Sequence, residues 1–268
     1  MLVIGEKING MFKVVREAVQ SKNKQAIQDL AKKQLDAGAD VLDVNVGPAS
    51  ADQLKDMSWL IETIREVTLA PLAVDTTKPD VMDKGLSLAG KNCFLNSTTG
   101  EEEKLSEFLP IAKKHGAKII ALTIDKAGIP NHAEGRLEIA ANIVAKAIEL
   151  GIDPASLYID AVILPVNVAQ QHAPAVLETI KQTKLLCDPA PKTILGLSNV
   201  SQGAPSAQGV SVRPLIDRTF LVMAIASGLD AAIINPLDKD LMDAMITSEL
   251  LSGKNIYCDS FLQAYRKK

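Results

Sequence analysis

Apolar residues along this chain gather into eight short runs bounded by polar or turn-forming residues: VIGEKIN from Val3, VLDVNVG from Val41, PLAVDTT from Pro71, NCFLNST from Asn92, KIIALTID from Lys118, LYIDAV from Leu157, TILGLSNVS from Thr193 and AAIINP from Ala231. Runs of this length, rich in Val, Ile and Leu, read as strands buried on both faces. The segments between them carry a helical period. SKNKQAIQDLAKKQLDAGAD brings Ala26, Leu30, Lys33 and Ala37 near one stripe and stops at Gly38, while EEEKLSEFLPIAKKHGAK and GRLEIAANIVAKAIELGID close on Gly116 and Gly151. Glycine is the residue that most easily takes the left-handed conformation past a helix end. Strand and helix alternate at intervals of roughly thirty residues, the length of a βαβ unit. The pattern predicts one α/β domain over residues 1–268, a single (β/α)8 TIM barrel whose functional side chains stand at the C-terminal ends of its strands. An open doubly wound sheet is the rival, weakened because no G-x-G-x-x-G follows the first strand. The segment SQGAPSAQGVSVRP, from Ser201 to Pro214, has three Gly/Pro-bounded turns and reads either as a lid or binding loop on the rim or as a tolerated surface insertion.

Composition sharpens this picture at a few points. One Trp, three Tyr and five Phe in 268 residues leave the core to aliphatic side chains. A formal net charge of −3 and the lack of a Lys/Arg block argue against a nucleic-acid surface. No apolar window reaches the length of a membrane span, and MLVIGEKING opens on a strand-like run without a basic leader, so a cytoplasmic location with neither membrane nor nucleic-acid partner is expected. Cys93, Cys187 and Cys258 are far apart, form no C-x-x-C pair, and read as ordinary thiols.

Four of the runs end in a carboxylate or carboxamide: AVDTT at Asp75, FLNST at Asn96, YIDAV at Asp160 and LGLSNVS at Asn199. The others follow suit, with Glu6 and Asn9 on the first, Asp43 and Asn45 on the second, Asp125 on the fifth and Asn235 on the eighth. A single Asp or Asn in such a place is more often a helix cap or turn residue than a ligand contact. One at every strand end implies a polar rim. Such a rim, with few bases and no evident nucleophile, suits a neutral heteroaromatic ligand that both donates and accepts hydrogen bonds. Asn199 donates and accepts without titrating. Apolar neighbours place Asp160 inside the mouth, where burial raises its pKa and hydrogen bonds to the carboxylate lower it, a balance the sequence leaves open.

Other chemistries fail on spacing. His115, His132 and His172 fall at a helix end, in a loop and at a helix start, so no metal is expected. There is no G-x-S-x-G elbow and no P-loop. Lys78, Lys118 and Lys192 lie just beyond or before strands and read as solvated or capping charges rather than covalent catalysts.

At these residues the chain resembles the pterin-binding barrel family, which includes dihydropteroate synthases, the folate domain of cobalamin-dependent methionine synthase and the methyltetrahydrofolate:corrinoid/iron-sulfur protein methyltransferases. The likeness to the last group runs through IGEKING, AGADVLDVNVGP, PLAVDTTKP, LNSTTGE, the YIDAVILP run, LGLSNVSQ and RPLIDRTFLVMA. It implies a methyltransferase that passes the N5 methyl group of 5-methyltetrahydrofolate to the Co(I) corrinoid (cobalamin type) of a separate corrinoid/iron-sulfur protein, in the acetyl-CoA pathway. It further implies a homodimer that binds no cofactor tightly itself. By motif, Asp75, Asn96 and Asp160 would hold the pterin, Asn199 would attend N5 as a catalytic residue with Asp75, and Gln202 would border the substrate. Ser198, Asp43, Asn9 and Glu6 complete the implied site. Arg213 would meet the glutamate tail or shape the site, although GAPSAQGVSV is longer than its counterpart in the family. The alternatives are a corrinoid-protein methyltransferase using another methylated amine, a dihydropteroate synthase and a non-catalytic folate-binding module. Against the synthase, the eighth run reads AAIINPLD and a segment near the end reads IYCDSF, neither with the basic groups that would meet a leaving phosphate.

Overall fold

The computed structural model describes residues 1–207 and 210–257. All eight apolar runs form strands: β1 (Leu2–Asn9), β2 (Val41–Asn45), β3 (Leu72–Asp75), β4 (Phe94–Thr99), β5 (Lys118–Leu122), β6 (Leu157–Asp160), β7 (Lys192–Gly196) and, after a short hairpin of β8 (Ser206–Ala207) and β9 (Val210–Ser211), β10 (Ala231–Ile234). Eight of them close a parallel barrel in the order β1-β10-β7-β6-β5-β4-β3-β2. The chain therefore belongs to the closed alternative, and the open sheet is excluded.

Helices α1 (Lys13–Gln20), α2 (Lys24–Asp36), α3 (Gln53–Arg65), α4 (Pro79–Ala89), α5 (Glu102–His115), α6 (Ala133–Glu149), α7 (Val166–Ala169), α8 (His172–Thr183), α9 (Arg213–Ala226) and α10 (Lys239–Leu251) follow the strands. Their starts are chemical: Asn23, Asp52 and Asp238 accept hydrogen bonds from the first-turn amides of α2, α3 and α10, satisfying donors that a helix cannot pair internally. On α2 the buried face is Ile27, Ala31 and Gln34, one residue round from the expected stripe, and Lys33 is exposed. The offset arises because Gln34 is turned inward: its Oε1 takes the Lys7 amide at 2.9 Å. Polar Gln34 is invisible to an apolar-period argument.

Two layers of core result. Between the barrel and its helices lies a continuous aliphatic shell. Within the barrel, Ile4, Val41, Ala73, Phe94, Ile120, Tyr158, Ile194 and Ala231 form a separate packed plug, with the Phe94 and Tyr158 rings edge to face at 5.2 Å. At the opposite pole from the strand C-termini, Lys118 and Lys192 open β5 and β7 with their ammonium groups 4.9 and 5.5 Å from the Phe94 and Tyr158 rings. Above the plug the β1 and β2 loops touch backbone to backbone: a Cβ on Gly10 would stand 2.1 Å from the Val46 carbonyl oxygen. Only glycine fits there, which accounts for the ING ending of the first motif.

Candidate active site

Strand alternation decides which side chains enter the barrel mouth. Counting two residues up from the plug, Ile4 leads to Glu6, Val41 to Asp43 and then Asn45, Ala73 to Asp75, Phe94 to Asn96 and Tyr158 to Asp160. Successive side chains of a strand point to opposite faces, so every one of these polar groups shares the inward face of the plug residue below it. The same level on the other strands carries Leu122, Gly196 and Ile233, so the polar half of the mouth spans β1 to β4 with β6. Asp75 and Asn96 are register partners.

The polar groups bind one another in pairs. Asn96 donates to Asp43 at 2.8 Å and Asn45 donates to Asp75 at 2.7 Å. Burial holds the Asp43 carboxyl well above its ordinary range, the neighbouring Asp75 charge pushes the same way, and the Asn96 amide opposes both. Asp75 is raised to about 6, chiefly by burial against the pull of Asn45. Both carboxyls of this neighbouring pair are thus held above the ordinary range, as expected where two acids share a poorly solvated site. Asp160 is also raised to about 6 by burial, despite amide hydrogen bonds from Val162 at 2.7 Å and Gly196 at 3.3 Å. For Asp160 desolvation wins the balance that the sequence left open.

Asn199 sits in a 3-10 turn, Leu197–Asn199, beyond the end of β7, and is exposed at the lip. Its turn is held from two sides. Glu6 takes a hydrogen bond from Ser198, and its own pKa is raised by burial. Fully buried Ser201 accepts from Arg213 Nε at 3.3 Å and donates to Asp217. Arg213, expected at a glutamate tail or as a shaping residue, is engaged with the turn that carries Asn199. Gln202 is exposed on the same turn. A cavity of about 270 Å³ opens beside this turn, lined by Glu6, Ser198, Arg213, Asp217, Asn235 and Asp238 among others; it abuts the polar rim but is not lined by Asp75, Asn96 or Asp160.

Several expectations need correction. Asn96 lies within β4, which continues to Thr99. Asp125 is past the end of β5, and its carboxylate receives the Ala127 amide, so it is a turn residue. Asn235 likewise accepts from the Leu237 amide at 3.2 Å and Asn9 from the Met11 amide at 2.9 Å; for these side chains the turn reading describes what the oxygen does. The Ser201–Pro214 segment is not merely a run of turns, because its β8–β9 hairpin pairs Ser206 with Ser211. Cys93 is buried and Cys187 partly so, whereas Cys258 lies outside the described residues, as does most of IYCDSF. Sequence reading missed Asp217 and a network in which buried Arg136 and His172 reach exposed Asn131; an Arg amid the apolar period of GRLEIAANIVA was the available signal. Among the described residues no cluster of three or more His, Cys, Asp or Glu is arranged for a metal ion, and no helix is long and apolar enough to cross a membrane.

Comparison with known proteins sets this geometry in context. The family model described as pterin binding enzyme matches residues 13–235. The chain is 29% identical to the methylcorrinoid:tetrahydrofolate methyltransferase of Eubacterium limosum, an alignment covering 100% of this chain and 97% of that protein. It is 32% identical to the methionine synthase of Mycobacterium leprae over 88% of this chain, but spans only 20% of that much longer relative. Among solved structures, a Yersinia pestis DHPS bound to a pterine-sulfa conjugate superposes with a TM-score of 0.70 at 16% identity, covering 95% of this chain and 94% of that one. A Xanthomonas albilineans dihydropteroate synthase gives 0.68 at 18% identity over 96% and 94%. At such identities these two structures speak for the fold alone.

Proposed function

This chain belongs to the pterin-binding enzyme family, and on that premise we propose that it transfers a methyl group between the N5 position of a folate and the cobalt of a corrinoid carried by a partner protein. The direction we assign is from 5-methyltetrahydrofolate to the Co(I) centre of a corrinoid/iron-sulfur protein. The Eubacterium limosum relative is named for the opposite direction; one transition state serves both, so the same side chains act either way. The observation that carries the reading is the inward row of Asp43, Asp75, Asn96 and Asp160 beneath an exposed amide at Asn199.

Asp75 and Asp160, as carboxylates, accept N–H donors of the pterin edge. Asn96 fixes the ring between them while its own amide is oriented by Asp43. When the methyl group leaves, the C–N bond breaks with its electron pair remaining on N5, and Co(I) supplies the pair that forms the cobalt–carbon bond. Charge therefore develops on N5. Asn199 donates a hydrogen bond to that nitrogen, an interaction stronger in the transition state than in the bound substrate. Asp75, with a pKa near 6, is suited to pass a proton toward N5 near neutral pH. No covalent enzyme intermediate is needed.

A partner-borne corrinoid must reach the mouth from the side where Asn199 and the β8–β9 hairpin stand. The reading includes a second copy of the chain, for which Leu215, Val222 and Met223 on α9 offer an exposed apolar face. Mixing the protein with 5-methyltetrahydrofolate and a Co(I) corrinoid and following methylcobalt formation by its absorbance tests the central step. Turnover supports it. Folate binding without turnover favours a binding module, and no folate binding favours another methylated amine as donor.

A further inference from the structure

Arg136, on α6, is fully buried, yet its partners are carbonyls and an imidazole rather than a carboxylate. Its Nε donates to the Pro130 carbonyl at 2.9 Å, and Nη1 donates to the carbonyls of Ala161 at 2.5 Å and Val162 at 3.2 Å. Nη2 meets His172 Nδ1 at 2.5 Å, and His172 Nε2 meets Asn131 Oδ1 at 3.0 Å. An arginine has only donors, so Nδ1 must accept and the imidazole is neutral with its proton on Nε2. Burial and the adjacent Arg136 charge both depress the His172 pKa, which keeps that form.

Two of the carbonyls so held, those of Ala161 and Val162, belong to the turn that follows Asp160. Val162 has φ +57°, a conformation that a β-branched residue adopts only under constraint. Its amide closes the turn by donating to the Asp160 carboxylate at 2.7 Å. The turn is thus gripped on both sides: by the Asp160 carboxylate facing the mouth, and by the Arg136 fork behind it. Arg136 is also the charged group that favours the ionised form of Asp160.

We propose that Arg136 is a positioning residue for folate recognition, clamping the strained Asp160–Val162 turn so that the Asp160 carboxylate is aimed into the barrel mouth. The inference rests on the reading of the mouth as a pterin site. Planar, multiply donating guanidinium is suited to two neighbouring carbonyls in a way that an ammonium is not. His172 and Asn131 fix the plane of the fork from behind.

Titration calorimetry with 5-methyltetrahydrofolate from pH 5 to 8, on variants shown by circular dichroism to be folded, tests this. For Arg136→Gln the dissociation constant is expected to rise about tenfold, the loss of roughly one hydrogen bond to a charged group. The pH midpoint of folate binding is expected to move upward, since Asp160 loses the cation that favours its ionised form. Arg136→Lys keeps the charge, so its midpoint stays in place while affinity falls less. Adding Val162→Gly to Arg136→Gln restores much of the affinity, because glycine holds positive φ without a clamp. A lower melting temperature with wild-type affinity and wild-type midpoint in both Arg136 variants overturns the proposal and leaves Arg136 a structural residue only. Failure of the wild-type protein to bind the folate sinks the pterin reading first, and this inference with it.

Discussion

Asn199→Ala removes an amide that stands exposed at the lip while leaving the barrel plug intact. Turnover with saturating corrinoid partner should fall by about 10² to 10³, the scale for losing a donor aimed at developing charge, with the melting temperature almost unmoved. Retention of wild-type rate would remove Asn199 from the chemistry. Asp43, Asp75 and Asp160 give a pH test with a definite sign. Their folded pKa values are raised, so the native state binds more protons than the unfolded chain between the ordinary carboxylate range of about 4 and, for Asp75 and Asp160, about 6. Stability from these groups is greatest at the acid end and falls as pH rises through that window. Folate binding runs the other way, because the carboxylate form is the acceptor. Asp43→Asn keeps an acceptor for Asn96 and removes a buried carboxyl facing Asp75, so the ligand-free variant should be more stable than wild type at pH 8. Urea titrations at pH 5 and 8 measure this, and equal stability at both pH values would mean that Asp43 carries no such burden.

The β8–β9 hairpin is the element that most departs from a plain barrel. It directly follows the turn bearing Asn199 and Ser201, and Ser211 lines the cavity beside them. Replacing Ala204–Val210 with a two-glycine link should leave the folate dissociation constant within about twofold, since Asp75, Asn96 and Asp160 lie elsewhere, while lowering the rate with the corrinoid protein. Unaltered rates with both free corrinoid and protein-bound corrinoid would reduce the hairpin to a tolerated surface excursion. Strand parity, by contrast, was open to sequence reading: AVD, YID and VLDVN each put an acid two residues above an apolar inward position. Helix α2 was not, because a buried Gln34 breaks the apolar period that such a reading follows.

At the scale of the whole molecule, the closed barrel makes ligand binding and stability one measurement. A folate at one hundred times its dissociation constant should add about 2.7 kcal/mol, which for a chain of this size is a rise in melting temperature of roughly 5–10 °C; no shift at any concentration would count against a preformed pterin site. The sequence by itself determined the eight strands, their alternation with helices and the row of polar residues near the strand ends, because these follow from local period and from the two-residue repeat of a strand, whereas closure of the sheet into a barrel was settled by the strand pairing of the structure. Only the tertiary structure decided which polar residues share the mouth and which are spent on turns, as Asp125 and Asn235 are. It alone paired Asn96 with Asp43 and Asn45 with Asp75, raised the three carboxyls, and set Arg136 behind Asp160. Those outcomes depend on contacts between residues 25 to 53 positions apart and on how far water is excluded there, and neither quantity is written in any short stretch of chain.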